Sequence, residues 1–489
     1  MHGAIHSFTS RLTLAGFLTA TLAAQALAGG PDLTTGNLAV VRVGSGAAVL
    51  SSASTAVFLE ERTTAGASSG TLALPATAAG PQMPFTLSGT ATSEGFVTLS
   101  ADGQYLIMAG FAAAPGTAAI AGTSSATVSR VIARIRISDN SIDTSTLMNN
   151  AFSGGDIRSA TSDDGSRFWS AGTASPSTTG GVWVASLSAS SGTQISTTIT
   201  NTRVVNIFNR QLYISSSSGT FLGVSTVGAN LPTTGGQTIT LLNGFPTAGT
   251  HSSYDYFFAN ANTVYVADDS GAASSGGIQK WTLSGGTWSL AYTLQNGATP
   301  GVRGLTGYID GSGNAVLFAT TTQTSNNNIM TVTDTGAGSA FSNVVTGSGA
   351  NTVFRGIRYI ASCVPAVVYA QPGNVTVNHG ESASFAVSAS GSPTLVYQWR
   401  RGVTNLNDGG NISGAHTATL AISPAGTPDA GNDYNCVVTN ACGSSTSNNA
   451  TLTVNCASPG IITPPMNQIA NVGDSASFSV TASGTGPLQ

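Results

Sequence analysis

The chain has 489 residues and a formal net charge of −4, and only 7% of its residues are charged. No run of basic residues could neutralise several phosphates, so the sequence predicts no nucleic-acid partner. With 60 glycines and 41% hydrophobic residues in short runs, the composition excludes a disordered chain. It indicates a folded, β-rich protein with many turns.

Residues 1–28 have the pattern of a secretory signal peptide. Arg11 ends a weakly basic start, Leu12–Leu27 is a short apolar stretch, and Ala26 and Ala28 supply the small residues of a cleavage site. We expect cleavage after Ala28, a secreted or cell-surface location, and no transmembrane segment in the mature chain.

From residue 36 to residue 362 the sequence alternates turns with short strands. Glycine-containing pairs such as Asp102-Gly103 and Asp164-Gly165 precede several of the strands. The main predicted strands are Asn37–Val43, Gln104–Gly110, Arg167–Gly172, Gln211–Ser216, Thr263–Asp268, Ala315–Thr320 and Gly356–Ser362. Further alternating strands are predicted at Val131–Ile137, Val182–Leu187 and Ile278–Leu283.

These strands recur at a length typical of one four-stranded propeller blade. If Leu106, Phe168, Tyr213, Tyr265, Leu317 and Tyr359 are equivalent positions, successive steps range from 42 to 62 residues. The segment resembles the β-propellers of secreted bacterial proteins, and VYVADDSG at Val264–Gly271 is similar to the YVTN type. The resemblance implies a propeller of six or seven blades at residues 29–362; a β-sandwich and a β-helix array are the alternatives.

Residues 363–455 resemble the bacterial immunoglobulin-like domains. Ser382–Val387 would be strand B, Val396–Arg400 strand C and Thr451–Val454 strand G. The resemblance implies a core formed by Phe385, Trp399, Tyr434 and Cys436. Two features depart from the family: Phe385 stands where the first core cysteine is usual, and Asp429–Gly431 lies one residue farther from Tyr434 than usual. Aromatic packing would replace the disulfide, and a bulge or longer turn would absorb the extra residue.

Residues 456–489 begin a second copy of the same repeat. GDSASFSVTASG at Gly473–Gly484 matches GESASFAVSASG at Gly380–Gly391, 93 residues earlier. The copy stops before its equivalent of strand C, which leaves it about a third complete and without an opposing sheet. We expect this segment to be disordered or weakly attached, and the chain to be a truncated product or a fragment of a longer repeat array.

The four cysteines all lie at or beyond residue 363, in a context where disulfides are permitted. Cys363 and Cys456 are equivalent positions of successive repeats, and Cys436 lies several strand residues from the turn that holds Cys442. In an immunoglobulin-like sandwich the start of strand A and the F–G loop share one end, which favours Cys363 with Cys442.

No catalytic, metal-binding or cofactor-binding motif stands out. The GxSxG string at Gly66–Gly70 has no helix signal after it, as a nucleophile elbow requires. Asp310–Asn314 has only the first half of a calcium loop, and a turn explains it equally well. Charged residues that could converge at one mouth of a propeller are Glu94, Asp156, Arg158, Arg203, His251, Asp255, Arg303 and Arg355. For Arg158, Arg303 and Arg355 the simpler interpretation is that they bind loop carbonyls or line a polar channel.

The sequence therefore predicts a non-catalytic binding or adhesion protein with a propeller head and immunoglobulin-like spacers. Its partner would be an extracellular protein or a carbohydrate. The alternative is an extracellular propeller hydrolase or lyase that acts on a polysaccharide, with the immunoglobulin-like domain as an accessory module. Convergent carboxylates in a deep mouth would favour the enzyme.

Overall fold

The computed structural model describes residues 33–271, 276–295, 301–362, 365–391, 395–440 and 442–485. These residues form an all-β protein, as the composition predicted. The only helices in this part of the chain are three 3-10 turns at Ile120–Gly122, Ser177–Thr179 and Thr427–Asp429. None of the described helices is long and apolar enough to cross a membrane. The predicted signal peptide lies outside the described residues.

The described residues up to residue 362 contain twenty-five strands. The first twelve are β1 (Leu38–Val43), β2 (Ser54–Arg62), β3 (Ser68–Ala73), β4 (Thr86–Ser88), β5 (Val97–Leu99), β6 (Tyr105–Phe111), β7 (Arg130–Arg136), β8 (Ile142–Met148), β9 (Ile157–Ser162), β10 (Arg167–Gly172), β11 (Gly181–Ser186) and β12 (Thr193–Ser196). The next thirteen are β13 (Val205–Phe208), β14 (Gln211–Ser218), β15 (Phe221–Val227), β16 (Ile239–Leu241), β17 (Ser253–Asn260), β18 (Thr263–Asp268), β19 (Gly277–Ser284), β20 (Thr287–Leu294), β21 (Val302–Ile309), β22 (Ala315–Thr321), β23 (Ile329–Asp334), β24 (Ser342–Val345) and β25 (Val353–Tyr359).

These strands form five antiparallel sheets, which we call the head. Four sheets have four strands each, consecutive in the chain: β9–β12, β13–β16, β17–β20 and β21–β24. The fifth has nine strands in the order β25-β1-β2-β4-β6-β7-β8, with β3 beside β2 and β5 beside β6. Strand β25 pairs with β1, so that Tyr359 lies opposite Leu38. The end of the head is therefore hydrogen-bonded to its beginning.

One set of strands, which we call the inner strands, connects the sheets: β5, β9, β13, β17, β21 and β25. Strand β5 contacts β9, and β9 contacts β13. The next step is made by β14, which pairs with β13 and contacts β17. Strand β17 contacts β21, β21 contacts β25, and β25 contacts β5. The series of contacts thus returns to its starting strand. Hydroxyl groups link neighbours in this series: Thr98 Oγ1 donates to Ala160 O (2.8 Å) and Ser159 Oγ to Arg203 O (2.8 Å).

Two glycines allow the inner strands to approach closely. A Cβ at Gly304 of β21 would lie 2.6 Å from Arg355 O of β25. A Cβ at Gly356 of β25 would lie 2.6 Å from Val97 N of β5. Both distances are shorter than any normal contact, so a larger residue at either position would separate the strands.

The apolar core of the head lies between neighbouring sheets. One cluster packs Trp169 and Val182 of the β9–β12 sheet against Leu212 and Val227 of the β13–β16 sheet. Another packs Val40 of β1 against Phe318 of β22, with Ile357 of β25. Because each sheet has apolar residues on both faces, neighbours on both sides are needed to bury them.

The predicted strands of the head are present, but one proposed equivalence is wrong. Leu106, Phe168, Tyr213, Tyr265 and Leu317 all lie on the strand that follows an inner strand in the chain. Tyr359 lies on β25, which is itself an inner strand and the edge of its sheet. The strand that pairs with β25 is β1, at the other end of the head. The pairing of distant chain ends, which no local pattern records, explains the error.

Beyond residue 362 the strands form an immunoglobulin-like pair of sheets. They are β26 (Val367–Ala370), β27 (Val375–Asn378), β28 (Ala383–Ala386), β29 (Ser388–Ser390), β30 (Val396–Arg401), β31 (Thr404–Asn405), β32 (Ile412–Ser413), β33 (Thr419–Ile422), β34 (Gly431–Asn440), β35 (Gly443–Thr446) and β36 (Ala450–Asn455). One sheet has the order β27-β36-β34-β30-β31, with β35 beside β34; the facing sheet has the order β28-β33-β32, and β26 pairs with β29.

The C-terminal segment buries no core of its own. It contains β37 (Gly460–Thr463) and β38 (Thr481–Ser483), which pair with each other. Every residue from 456 to 483 is exposed to solvent, including Val472 and Phe478. Its weak attachment stays a prediction.

Candidate functional site

Six of the eight charged residues proposed for a channel mouth lie together, where the inner strands begin. Each stands just before an inner strand or at its start, so the contacts between those strands bring the side chains to one end of the head. Tyr254, at the start of β17, lies among them. We call this group the arginine cluster: Glu94, Asp156, Arg158, Arg203, Arg303, Arg355 and Tyr254.

The ring of Tyr254 contacts two arginines of this cluster. It lies 3.7 Å below the guanidinium carbon of Arg203 and 5.5 Å from that of Arg303. Arg203 Nη1 donates to Ser253 O (2.9 Å), and Arg303 Nε donates to Asp269 Oδ2 (2.9 Å). Cation–π contact and these acceptors hold two arginines side by side despite their like charge.

The other two arginines of the cluster bind backbone carbonyls. Arg158 Nη1 donates to Thr202 O (3.0 Å) and to Asn201 Oδ1 (2.6 Å). Arg355 Nη2 donates to Gly89 O (3.1 Å). Burial lowers the pKa of Arg355 to about 10 and lowers that of Arg158 as well. Both arginines therefore bind loop carbonyls and connect a loop to an inner strand, as the simpler interpretation of the sequence predicts.

Glu94 is the unusual member. Its side chain is 0% exposed, and neither carboxyl oxygen has a hydrogen-bond partner of good geometry among the described residues. Burial raises its pKa well above the ordinary value, and the Asp156 carboxyl raises it further. Arg355, the Ser88 amide and Arg158 act in the opposite direction. Burial also raises the pKa of Asp156, against the effect of Arg158.

This arrangement places two carboxyls of raised pKa near each other, as proton transfer in catalysis often requires. The space beside them is small, however. The cavity that Glu94 lines with Phe96, Arg303 and Arg355 has a volume of about 10 Å³. That is roughly the space of one water molecule. In this conformation a polymer substrate has no access to Glu94.

The opposite ends of the inner strands enclose a larger cavity, of about 210 Å³. We call it the aromatic cavity, because Phe208, Tyr256, Phe257, Phe258 and Tyr359 are among the residues that line it. The rings are held by mutual packing: Phe208 stacks on Phe258 with ring centroids 4.6 Å apart, and Tyr256 meets Phe258 edge to face at 6.0 Å. Such packing fixes the walls before any ligand arrives.

The remaining two charged candidates lie elsewhere. Asp255 is fully buried behind the aromatic cavity, where its Oδ1 lies 3.6 Å from Arg358 Nη2. Burial raises the pKa of Asp255 to about 6, against the attraction of Arg358. His251 Nδ1 lies 3.3 Å from Gln279 Nε2 and belongs to neither group.

The weaker motif candidates have structural roles. Ser68, the central residue of the GxSxG string, begins strand β3 and has no helix after it. Asp310 Oδ1 accepts the amides of Ser312 and Asn314 (both 2.9 Å), which makes this segment a turn. No group of three or more potential metal ligands occurs in the described ranges.

The four residues predicted for the immunoglobulin-like core lie in one buried cluster. Phe385 stacks on Tyr434 with centroids 5.0 Å apart and lies 6.1 Å from Trp399. Cys436 pairs with Trp399 across β30 and β34 and is a free thiol. Tyr434 Oη donates to Asp429 O (2.7 Å). The segment before Tyr434, which is one residue longer than usual in the family, contains the 3-10 turn Thr427–Asp429 and a register shift between Gly431 and Tyr434.

The predicted disulfide would join Cys363 to Cys442. Cys442 lies in the turn between β34 and β35. Cys363 lies outside the described residues, and Cys456 is a free thiol. The pairing of Cys363 with Cys442 therefore stays a prediction.

Sequence reasoning missed the residues that organise both ends of the head. Tyr254, Tyr256 and Arg358 carry no motif. The one local signal was the run SYDYFF at the start of β17, in which aromatic residues flank Asp255 on both sides.

Comparisons with known proteins match parts of this chain. Residues 366–454 match the family model described as the immunoglobulin I-set domain. Endoglucanase C of Cellulomonas fimi is 36% identical over 119 residues, which are 24% of this chain and 10% of that protein. The chain thus spans about a tenth of that relative.

Among solved structures, an immunoglobulin complex of titin with obscurin-like 1 is 29% identical. The alignment covers 19% of this chain and 96% of that one, with a TM-score of 0.18. A titin domain solved at atomic resolution is 28% identical, covering 19% of this chain and 97% of that one, with a TM-score of 0.18. By its sheets and its core, the stretch 366–454 is an immunoglobulin-like domain, and its sequence is similar to the I-set family.

Proposed function

We propose that this chain is a non-catalytic binding protein of the cell exterior. Its parts would be a signal peptide (1–28), a binding head (29–362), an immunoglobulin-like spacer (363–455) and the beginning of a second repeat (456–489). The signal-peptide pattern supports export. The head would contact an extracellular partner, and the spacer would hold the head away from the surface that carries the protein.

The head would be a six-bladed β-propeller. Four blades would be the separate four-stranded sheets, and the nine-stranded sheet would supply two more: β25-β1-β2-β3 and β5-β6-β7-β8. The return of the inner-strand contacts to their starting point and the pairing of β25 with β1 support this arrangement. In a ring of this kind, strands from both chain ends complete one blade and leave few exposed edges.

One observation carries the binding function: the space available at the two ends of the inner strands. The end with convergent carboxyls offers about 10 Å³, whereas the end lined by aromatic rings offers about 210 Å³. Aromatic walls with a few polar groups are typical of small-molecule and carbohydrate recognition. Binding without chemistry is what this distribution favours.

The test is retention of the full chain on a panel of immobilised polysaccharides and cell-wall extracts, with released reducing ends measured in the same samples. We expect saturable retention on at least one carbohydrate and no released product. Retention on none of them, or release of product from any retained polymer, would refute the proposal.

A polysaccharide-cleaving enzyme is the second candidate, favoured by the raised pKa values of Glu94 and Asp156. Movement of the loops above Glu94 would have to open a path for the substrate. In that case Glu94→Gln and Asp156→Asn would each abolish product release while leaving retention unchanged. A matched Glu381→Gln substitution, at an exposed site of the spacer, serves as the control.

A further inference from the structure

Two buried donor groups in the wall of the aromatic cavity make no hydrogen bond of good geometry within the described residues. Tyr256 is 1% exposed, and its hydroxyl has no hydrogen-bond partner of good geometry among the described residues. Arg358 is 7% exposed, and its Nη2 likewise makes no hydrogen bond. Both residues line the cavity. A buried donor without a hydrogen-bond partner is destabilising, so the presence of two of them calls for a ligand or ordered water.

The surroundings of both groups leave them free to donate. Arg358 Nε already donates to Val97 O (3.2 Å), and Asp255 accepts the amides of Tyr256 (2.9 Å) and Leu305 (3.2 Å). Burial raises the pKa of Tyr256 well above its ordinary value, and the Asn206 amide, which donates towards the Tyr256 oxygen, acts in the opposite direction. The hydroxyl proton of Tyr256 and one guanidinium N–H therefore remain available to an acceptor in the cavity.

The charges favour a neutral ligand. Among the described residues that line the cavity, only Arg358 is charged, and Asp255 Oδ1 lies 3.6 Å from its Nη2. The ion pair leaves the wall without net charge, so a charged ligand would lose its hydration with no opposite charge to replace it.

The shape favours a ring with an apolar face and a polar rim. Phe208 and Phe258 stack on each other, and Tyr359 packs on Tyr308 with centroids 4.7 Å apart, so aromatic rings stand on two sides. Thr306, Ser100 and Asn206 add short polar side chains to the lining. A cavity of about 210 Å³ is smaller than the sites of drug-sized molecules, which suits one sugar unit better than a long chain.

We propose that the aromatic cavity binds an uncharged sugar ring, whose hydroxyl oxygens accept hydrogen bonds from Tyr256 Oη and Arg358 Nη2. Without the sugar, water occupies these positions, and the sugar displaces it on binding. This site would be where the head engages carbohydrate, so the inference rests on the proposed function and adds the class of ligand and the contacts.

The test is titration of the full chain with glucose, galactose, mannose and N-acetylglucosamine, with glucuronate as the charged comparison, followed by saturation-transfer NMR and calorimetry. We expect saturable binding of at least one neutral sugar and weaker binding of glucuronate. Tyr256→Phe removes one donor and no packing, and should weaken binding about tenfold. Ala361→Trp, at an exposed lining position, should abolish binding by filling the cavity. The control is Tyr369→Phe, an exposed tyrosine of the spacer.

Three outcomes would overturn this inference: no saturable binding of any neutral sugar, preference for glucuronate, or equal affinity in Tyr256→Phe, Ala361→Trp and the unsubstituted chain. If Ala361→Trp is still retained on polysaccharide, the aromatic cavity is not the binding site, but the proposed function stands. If the unsubstituted chain is retained on no polysaccharide, both the sugar site and the proposed function are refuted.

Discussion

The head and the immunoglobulin-like domain differ in what they bury. The head holds charged side chains in its interior: Glu60, Glu61, Glu94, Arg130, Arg158, Asp255, Asp268, Asp334, Arg355 and Arg358. Within the described part of residues 365–455 the buried polar residues are Asn435, Asn440 and Ser447, and none of the buried ones is charged.

The difference follows from architecture. A sandwich of two sheets has one interior, which apolar side chains from both sheets can fill completely. In the head, apolar clusters lie between sheets, whereas the inner strands begin and end beside one another with carbonyl groups that need donors. Arginine supplies several donors at once, which explains why Arg158 and Arg355 are buried where strands of different sheets meet.

The largest effect is expected in the apolar interior. Trp399→Ala removes a fully buried indole that packs on Phe385, and should cost the immunoglobulin-like domain about 4 kcal/mol. Hydrogen exchange measured by mass spectrometry would show faster exchange in β28, β30 and β34 and no change in the head. The control Val403→Ala, at an exposed position, should change neither. Faster exchange in the head as well would mean that the two regions are not independent.

A smaller but still large effect is expected for the most enclosed arginine of the head. Arg130 donates to four carbonyls, those of Thr123, Val128, Phe152 and Gly155. Arg130→Met keeps much of the volume but leaves these carbonyls without the donor, and should cost about 3 kcal/mol in the urea unfolding of the head.

Arg136→Met is the matched control, because Arg136 lies on the same strand with a side chain that is 44% exposed. A loss below about 1 kcal/mol for Arg130→Met would indicate that water replaces the guanidinium, and that carbonyl binding is not why the head buries arginine.

The smallest effect concerns the carboxyl of Glu94 and depends on pH. Its pKa in the folded state is raised, so the folded protein binds a proton more tightly than the unfolded chain does. The free energy of unfolding therefore falls as pH rises from the unfolded pKa towards the folded one, by about 1.4 kcal/mol for each unit of difference. Glu94→Gln should remove this slope and be the more stable protein above neutral pH.

Urea unfolding of both proteins at pH values from 5 to 9 would measure this difference. If Glu94→Gln were less stable than the unsubstituted chain by the same amount at every pH, Glu94 would be an ionised partner of Arg355. The head would then bury its charges as pairs.

Local pattern determined much of the strand content. Thr263–Asp268 and Arg167–Gly172 alternate between apolar and polar or small residues and end at turns, and both are strands with the predicted bounds. The family resemblance likewise pointed to Phe385, Trp399, Tyr434 and Cys436, which the structure places in one cluster. The spacing of Glu94, Asp156, Arg158 and Arg355 relative to the strands identified candidates but could not show that they meet.

What only the tertiary structure decided is how distant segments share one place. The pairing of β25 with β1 joins residues more than 300 positions apart, and it makes Tyr359 part of an inner strand. Strand β25 also carries Arg358, whose Nη2 lies 3.6 Å from Asp255 Oδ1 of β17 at the wall of the aromatic cavity, about 100 positions away in the chain. Periodicity reports only which face of a strand is apolar; the neighbours of that strand depend on which sheets bury one another, and that is settled by packing of the whole head.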